Sequence, residues 1–317
     1  MIRDALRFDE RVGHRLLPDV QLRAWQVGAP YLMRTNSMGF RTREFEPTRT
    51  GGRRRVLVYG DSFAEGVGVS DGRRFSDLLE ELVPDVEVLN FGLRASGTDQ
   101  QLLLFRERPP ELEYDLVVIG LFTDDVKRNV SRFGILTTAT GENYEKPYFQ
   151  LEDGELELHN VPVPRHATDY RDLDSEDRKM VYHSGIGHRL RMAVRKYAPW
   201  AKNALQRVTR FQPAPYLDEP DDPAWMLTTA IVEQWAAEAD APVLVLAIPP
   251  YQYFEGTASS RAYEERFAEL ADAPGVEVHD SLPDLRAAAD SGGAARLRIR
   301  GDAHYTAEGH RVLAESL

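Results

Sequence analysis

The sequence predicts an α/β fold: a doubly wound, mostly parallel sheet of about five strands, covered by helices on both faces to give three layers (α/β/α). Three observations carry this prediction. Short continuous apolar runs rich in Val, Ile and Leu recur along the chain, as strands buried on both faces require. Segments with helical apolar spacing alternate with them, which is the pattern of a parallel sheet with crossover helices. Several runs end in Gly, Asn or Pro, residues that stop a strand at a turn.

RVLVYG (55–60) is the first strand. FSDLLEELV (75–83) follows as a helix, with Phe75, Leu78, Leu79 and Leu82 on one face. VEVLNFG (86–92) is the second strand, and TDQQLLLFRE (98–107) a helix with Thr98 or Asp99 as its N-cap. DLVVIGLF (115–122) is the third strand. The alternation resumes with the helix WMLTTAIVEQWAAEA (225–239) and the strand PVLVLAIPP (242–250). YEERFAELA (263–271) is a helix, VEVHD (276–280) a short fifth strand, and TAEGHRVLAESL (306–317) a closing helix capped by Thr306.

Two stretches stand outside this pattern. Residues 1–52 read as an irregular extension, with PTRTGGRRR as a linker. Residues 126–224 read as an insertion in a single domain spanning 1–317. Within it, KPYFQLEDGELELHNVPVP (146–164) is a β-hairpin about an Asp-Gly turn. GHRLRMAVRKYAPWAKNALQRVTRF (187–211) is a basic amphipathic helix, expected to cover the active-site face; an acidic partner is the other reading.

The net charge of -12 argues against a nucleic-acid partner, since phosphate binding needs a basic face. It argues more weakly against an anionic membrane surface. With no cysteine there is no disulfide, thiolate nucleophile or Cys-ligated metal. MIRDALRFDERVGHRLLPDV lacks the apolar core of a secretory signal, and no run approaches about 18 apolar residues, so no membrane span and a cytoplasmic location are expected.

Ligands of open α/β sheets sit at the carboxyl ends of the strands. Gly60-Asp61-Ser62 falls there, ahead of backbone N–H groups able to hold developing negative charge. Alone, this tripeptide reads more readily as a strand-to-turn junction with Ser62 as a helix cap than as a nucleophile. A serine nucleophile needs a base, and the base an orienter. RIRGDAHYTAEGH (298–310) supplies both: Asp302 and His304 lie two apart, so in an extended segment their side chains point the same way. His310, inside the closing helix, is a packing or surface residue. Gly66-Val-Gly68 lacks the third glycine of a dinucleotide fingerprint and reads as flexibility beside the serine. Asp302-x-His304 has no third ligand of metal-site spacing nearby, so neither metal nor cofactor is expected.

Four blocks in this order resemble the SGNH, or GDSL, hydrolase superfamily: Gly60-Asp61-Ser62-Phe63, Asn90-Phe91-Gly92, Phe122-Thr123-Asp124-Asp125 and Asp302-Ala303-His304. TNSMGFR and the hairpin are similar to longer bacterial members. The resemblance implies a flavodoxin-like α/β/α domain in which Ser62 attacks an acyl carbonyl, His304 moves the proton and Asp302 orients His304. It implies an oxyanion hole built from the Ser62 amide, a second-block glycine amide and a third-block Asn side chain. The chain departs twice. The glycine position holds Ala95, with Gly97 two residues on, and the Asn position holds Asp124, followed by Asp125. An ionised carboxylate donates no hydrogen bond, and losing one oxyanion donor costs about 3–4 kcal/mol. Either burial beside Asp125 keeps Asp124 protonated, or Asp124 serves other chemistry as an acid or base; the plain alternative for Asp124-Asp125 is a solvated helix cap. Asp61, Asp125 and Tyr251 complete the set expected near the oxyanion or substrate; Tyr251, Tyr253 and Phe254 follow the fourth strand and either line a cleft or pack.

The resulting expectation is a serine-dependent acyl-ester hydrolase or O-acyltransferase acting on a small-molecule or sugar ester. The alternatives are a specialised biosynthetic enzyme using Asp124 for non-hydrolytic chemistry, and a catalytically silent ligand-binding domain. The oligomeric state is left open.

Overall fold

The structure, a computed structural model, describes residues 5–26, 29–49, 51–134, 142–173, 175–180, 206 and 211–317. Its centre is a five-stranded parallel sheet: β1 (Arg54–Gly60), β2 (Val86–Asn90), β3 (Leu116–Phe122), β4 (Val243–Ile248) and β5 (Val276–Asp280). The spatial order is β5-β4-β3-β1-β2, with every neighbouring pair parallel. This is the doubly wound order whose direction reverses between β1 and β3, and a crevice opens there beyond the strand ends. The apolar runs are apolar because both sheet faces are covered. In β4, Val245, Leu246, Ala247 and Ile248 are wholly buried, as are Val117, Ile119 and Leu121 of β3.

One helical layer holds α2 (Phe75–Leu82), α8 (Leu282–Gly292) and α9 (Ala307–Ser316). The other holds α3 (Thr98–Arg106), α4 (Thr123–Asn129), α5 (Pro223–Glu238) and α7 (Arg261–Leu270). Two short helices, α1 (Ser62–Glu65) and α6 (Tyr251–Phe254), follow β1 and β4 directly. Helix α5 starts two residues before the apolar pattern does, because Asp222 accepts from the Ala224 N–H at 2.8 Å and Pro223 occupies the first turn. Thr306 caps α9 through the Gly309 N–H, as its position predicts. The cap of α3 is Gly97, not Thr98 or Asp99: the Asp99 carboxylate instead meets buried Lys146, whose charge needs a partner. On α2 the apolar stripe is shorter than its spacing suggests, since Leu82 is exposed.

Residues 1–52, expected to be irregular, contain two hairpins: Leu6–Asp9 with Gly13–Leu16, and Gln21–Gln26 with Ala29–Arg34. Their period-two pattern is hard to read because Arg and Gln fill the outward positions. The inward residues Leu16, Ala24, Tyr31 and Met33 form a small core of their own with Ala5. The hairpin expected over 146–164 pairs Tyr148–Glu152 with Glu155–His159. Asp153 and Gly154 at its turn both have positive φ, as a type I′ connection demands. The basic helix expected over 187–211 lies outside the described residues, except positions 206 and 211. Among the described residues no helix is long and apolar enough to cross a membrane.

Candidate active site

Strand β1 ends at Gly60, and Asp61 caps α1 by accepting from the Phe63 N–H at 2.8 Å. Ser62 is therefore the first residue of a short helix at the carboxyl edge. The loop that precedes α9 comes back to the same edge. His304 Nε2 lies 2.8 Å from Ser62 Oγ, and His304 Nδ1 lies 2.6 Å from Asp302 Oδ1. With Nδ1–H donating to Asp302, Nε2 is left to accept the Ser62 proton. Ser62 Oγ also lies 3.3 Å from Asp61 Oδ2. One hydroxyl proton cannot serve both, and the shorter contact to His304 is the stronger.

Asp302 is well furnished with donors. Its Oδ1 accepts from the Ala303 and His304 N–H groups at 2.6 and 3.1 Å, and its Oδ2 accepts from Gln26 Nε2 at 2.6 Å. Burial alone would push this carboxyl up; the hydrogen bond and charge of the His304 ring, with these donors, hold it well below the usual carboxylate range. The imidazole is flanked by Phe63, its ring 5.2 Å away and tilted, which excludes water from one side.

Beside Ser62 lies a buried charge cluster. Arg128 Nη1 donates to Asp61 Oδ2 at 2.6 Å, to Asp125 Oδ1 at 2.5 Å and to the Ser96 carbonyl at 3.2 Å. Burial raises the Asp125 carboxyl well above the ordinary range and the Asp61 charge adds to it, with Arg128 opposing both. The burial invoked to keep Asp124 protonated thus falls on its neighbour. Asp124 is exposed and accepts from Tyr216 Oη at 3.2 Å. Burial, followed by the Asp124 charge, pushes the Tyr216 phenol up, so that phenol remains a donor.

Ala95 has φ +62°, the left-handed conformation that favours glycine. It therefore keeps the backbone course a glycine would take there. Among the described residues, the N–H groups of Ser62 and Ala95 have no acceptor, whereas the Gly97 N–H donates to Gln100 Oε1 at 3.3 Å. Gly66 and Gly68, read as a flexible pair, sit in a clamped turn. Gly66 ends α1 at φ +82°, and Arg41 donates to the carbonyls of Glu65, Gly66 and Val69 at 3.0, 2.8 and 3.0 Å. Tyr251, Tyr253 and Phe254 are buried and pack; the Arg298 guanidinium lies 4.2 Å over the Tyr251 ring. His310 is buried against Phe75.

The structure thus brings Ser62, His304, Asp302 and Asp61 together, with Asp125 joined to them through Arg128. It sets Asp124 outward and Tyr251 into the packing. Arg128 and Gln26 were missed. Arg128 carried a signal, since it stands three residues after Asp125 on one helix; Gln26, 276 residues from its partner, carried none.

The fold is a doubly wound α/β/α domain with a serine facing an imidazole at its carboxyl edge. The chain belongs to the GDSL-like lipase/acylhydrolase family, whose model matches residues 58–312, and members are hydrolytic enzymes. No curated protein matches it. Similar solved structures include a lipolytic protein of the G-D-S-L family from Veillonella parvula DSM 2008, at 12% identity over 83% of this chain and 95% of that one, TM-score 0.43. An alpha/beta hydrolase enzyme from a Lake Arreo metagenome is 13% identical over 85% and 94%, TM-score 0.43. The lipase Lip_vut3 from a goat rumen metagenome is 13% identical over 83% and 95%, TM-score 0.41.

Proposed function

We propose that the protein transfers acyl groups from esters, to water or to an acceptor hydroxyl, with Ser62 as nucleophile, His304 as base and Asp302 as orienter. The observation that carries this reading is the unbroken chain of contacts from Ser62 Oγ through both ring nitrogens to Asp302, at 2.8 and 2.6 Å. Ser62 Oγ bonds to the carbonyl carbon while its proton passes to Nε2. The ester C–O bond then breaks, and that proton goes to the leaving alcohol. Water, or an acceptor hydroxyl, gives its own proton to His304 as its oxygen bonds to the acyl carbon; the acyl–Oγ bond then breaks and His304 returns that proton to Ser62 Oγ.

The oxyanion falls to the two unpartnered amides, of Ser62 and Ala95. Asp124, exposed and an acceptor when ionised, belongs to the substrate side of the cleft in this reading. Its bond from Tyr216 favours the second reading, a pathway-specific enzyme in which Asp124 holds a donor group of its natural substrate. The substrate class is a small-molecule or sugar acyl ester, and the proposed location is the cytoplasm.

Turnover of p-nitrophenyl acetate by the parent and by Ser62→Ala tests the reading. The parent should be active and the variant nearly inert. Equal rates would overturn it.

A further inference from the structure

Asp302 uses its two oxygens differently. Oδ1 collects the His304 ring and two local backbone amides, whereas Oδ2 has Gln26 Nε2 as its hydrogen-bond donor, at 2.6 Å. Gln26 is the last residue of the hairpin strand Gln21–Gln26 and lies outside the span 58–312 that matches the family. It belongs to the N-terminal extension that precedes that span. Its stem lies against the turn after Ser62, where a Cβ built on Gly68 would come within 3.6 Å of Gln26 Cβ and Cγ. The hairpin strand itself is anchored by Ala24, buried with Tyr31 and Met33.

A carboxylate held at one oxygen can still rotate about its Cβ–Cγ bond. A donor on the second oxygen fixes its plane, and with it the direction of the imidazole. We propose that Gln26 is a positioning residue of the active site, locking the Asp302 carboxylate so that His304 stays aimed at Ser62. The N-terminal hairpin is thereby a working part of the catalytic apparatus. This rests on the Ser62–His304–Asp302 reading given above.

The sign of the pH effect follows from the charges. The Gln26 amide offsets part of the Asp302 charge. Removing it leaves the carboxylate more attractive to a proton on the ring, so the acid limb of kcat/KM moves to higher pH. A glutamate there adds negative charge and moves it further. Other charged groups near the pair are Arg298 with Glu255, Asp61 with Arg128, and His310, and neither substitution touches them.

The test compares parent, Gln26→Leu, Gln26→Glu and Ser62→Ala on p-nitrophenyl acetate across pH, with thermal melts of each. The expected result is a kcat lowered roughly 10-fold in Gln26→Leu with KM little changed, and an acid limb ordered parent, Leu, Glu from low to high pH. If Gln26→Leu fails to fold, the isosteric Gln26→Glu supplies the same ordering against the parent. Parental kcat and pH profile in folded Gln26 variants, beside an inert Ser62→Ala, would overturn this proposal alone. An active Ser62→Ala would overturn the triad reading, and this proposal with it.

Discussion

The loop carrying Ser62 and the loop carrying His304 meet at one rim of the sheet, yet they are held by different forces. Around Ser62 the ties are buried charges. Arg94 Nε lies 2.9 and 2.8 Å from the two oxygens of fully buried Glu65, Arg41 gathers three carbonyls, and Arg128 bridges Asp61 and Asp125. Around His304 the ties are mostly neutral. The Ile299 N–H donates to the His304 carbonyl at 2.9 Å, the Asp302 N–H to Ile299 at 2.9 Å, and Tyr305 Oη to the Pro249 carbonyl at 2.5 Å; Arg298–Glu255 is the nearby ion pair. The difference teaches where damage should appear. Breaking a tie in the serine loop strands a buried charge and should cost stability. Breaking one in the histidine loop mis-aims a ring and should cost rate.

The largest effect expected is on rate. Asp302→Asn should lower kcat on an activated acetyl ester by about 10⁴-fold while leaving the melting temperature close to the parent's. Loss of folding instead would erase the contrast, and steady-state kinetics beside calorimetry would show it. The reciprocal case is Arg94→Leu, which leaves Glu65 buried without its cation. It should cost about 3–5 kcal/mol in urea unfolding. A loss under about 1 kcal/mol, the range of surface pairs, would mean that charge does not hold the serine loop.

Asp124→Asn sharpens the comparison at the cleft itself. It removes an exposed charge without supplying an oxyanion donor, since residue 124 faces outward, so simple-ester turnover should change by less than roughly 10-fold. A rise of roughly 100-fold or more would place residue 124 at the oxyanion beside the two amides, against the outward position described above.

The smallest effect is on stability against pH. Burial depresses His310 to about 3 and pushes His14 down as well, so the unfolded chain takes up protons below about pH 6.5 that the folded chain refuses. Stability therefore falls as pH drops from about 6.5, by up to ~1.4 kcal/mol per unit for each histidine. Glu65 is different in window and alike in sign. Burial would raise it, but Arg94 holds it below the ordinary range, so its contribution is complete above about pH 4.5 and is lost beneath that. His310→Asn should remove its own share of the fall in the upper window, leaving that of His14 and the Glu65 window in place, and melts at about pH 6.5 and 5 would reveal a failure to do so.

Much of the frame was legible along the chain. Continuous apolar runs encode burial on both faces, so all five strands could be located before any pairing was known. Asp302-x-His304 was legible because two residues two apart need only an extended backbone to share a direction. The N-terminal hairpins were not, since their outward Arg, Gln and Trp residues mask a five-residue core. The cap of α3 was misread because nothing local announces that Asp99 is claimed by Lys146.

What the sequence by itself determined was the alternation of strand and helix, the serine at a strand end and the carboxylate–imidazole pair before the last helix. These follow from local periodicity and turn chemistry, which act over a few residues. Tertiary structure alone decided that Ser62 and His304, 242 residues apart, come within 2.8 Å. It also decided that Asp125 turns inward to Arg128 while Asp124 faces out, and that Gln26 reaches Asp302. Those outcomes depend on which distant surfaces share one edge of the sheet, and contacts of that kind leave no mark on the neighbouring residues of the chain.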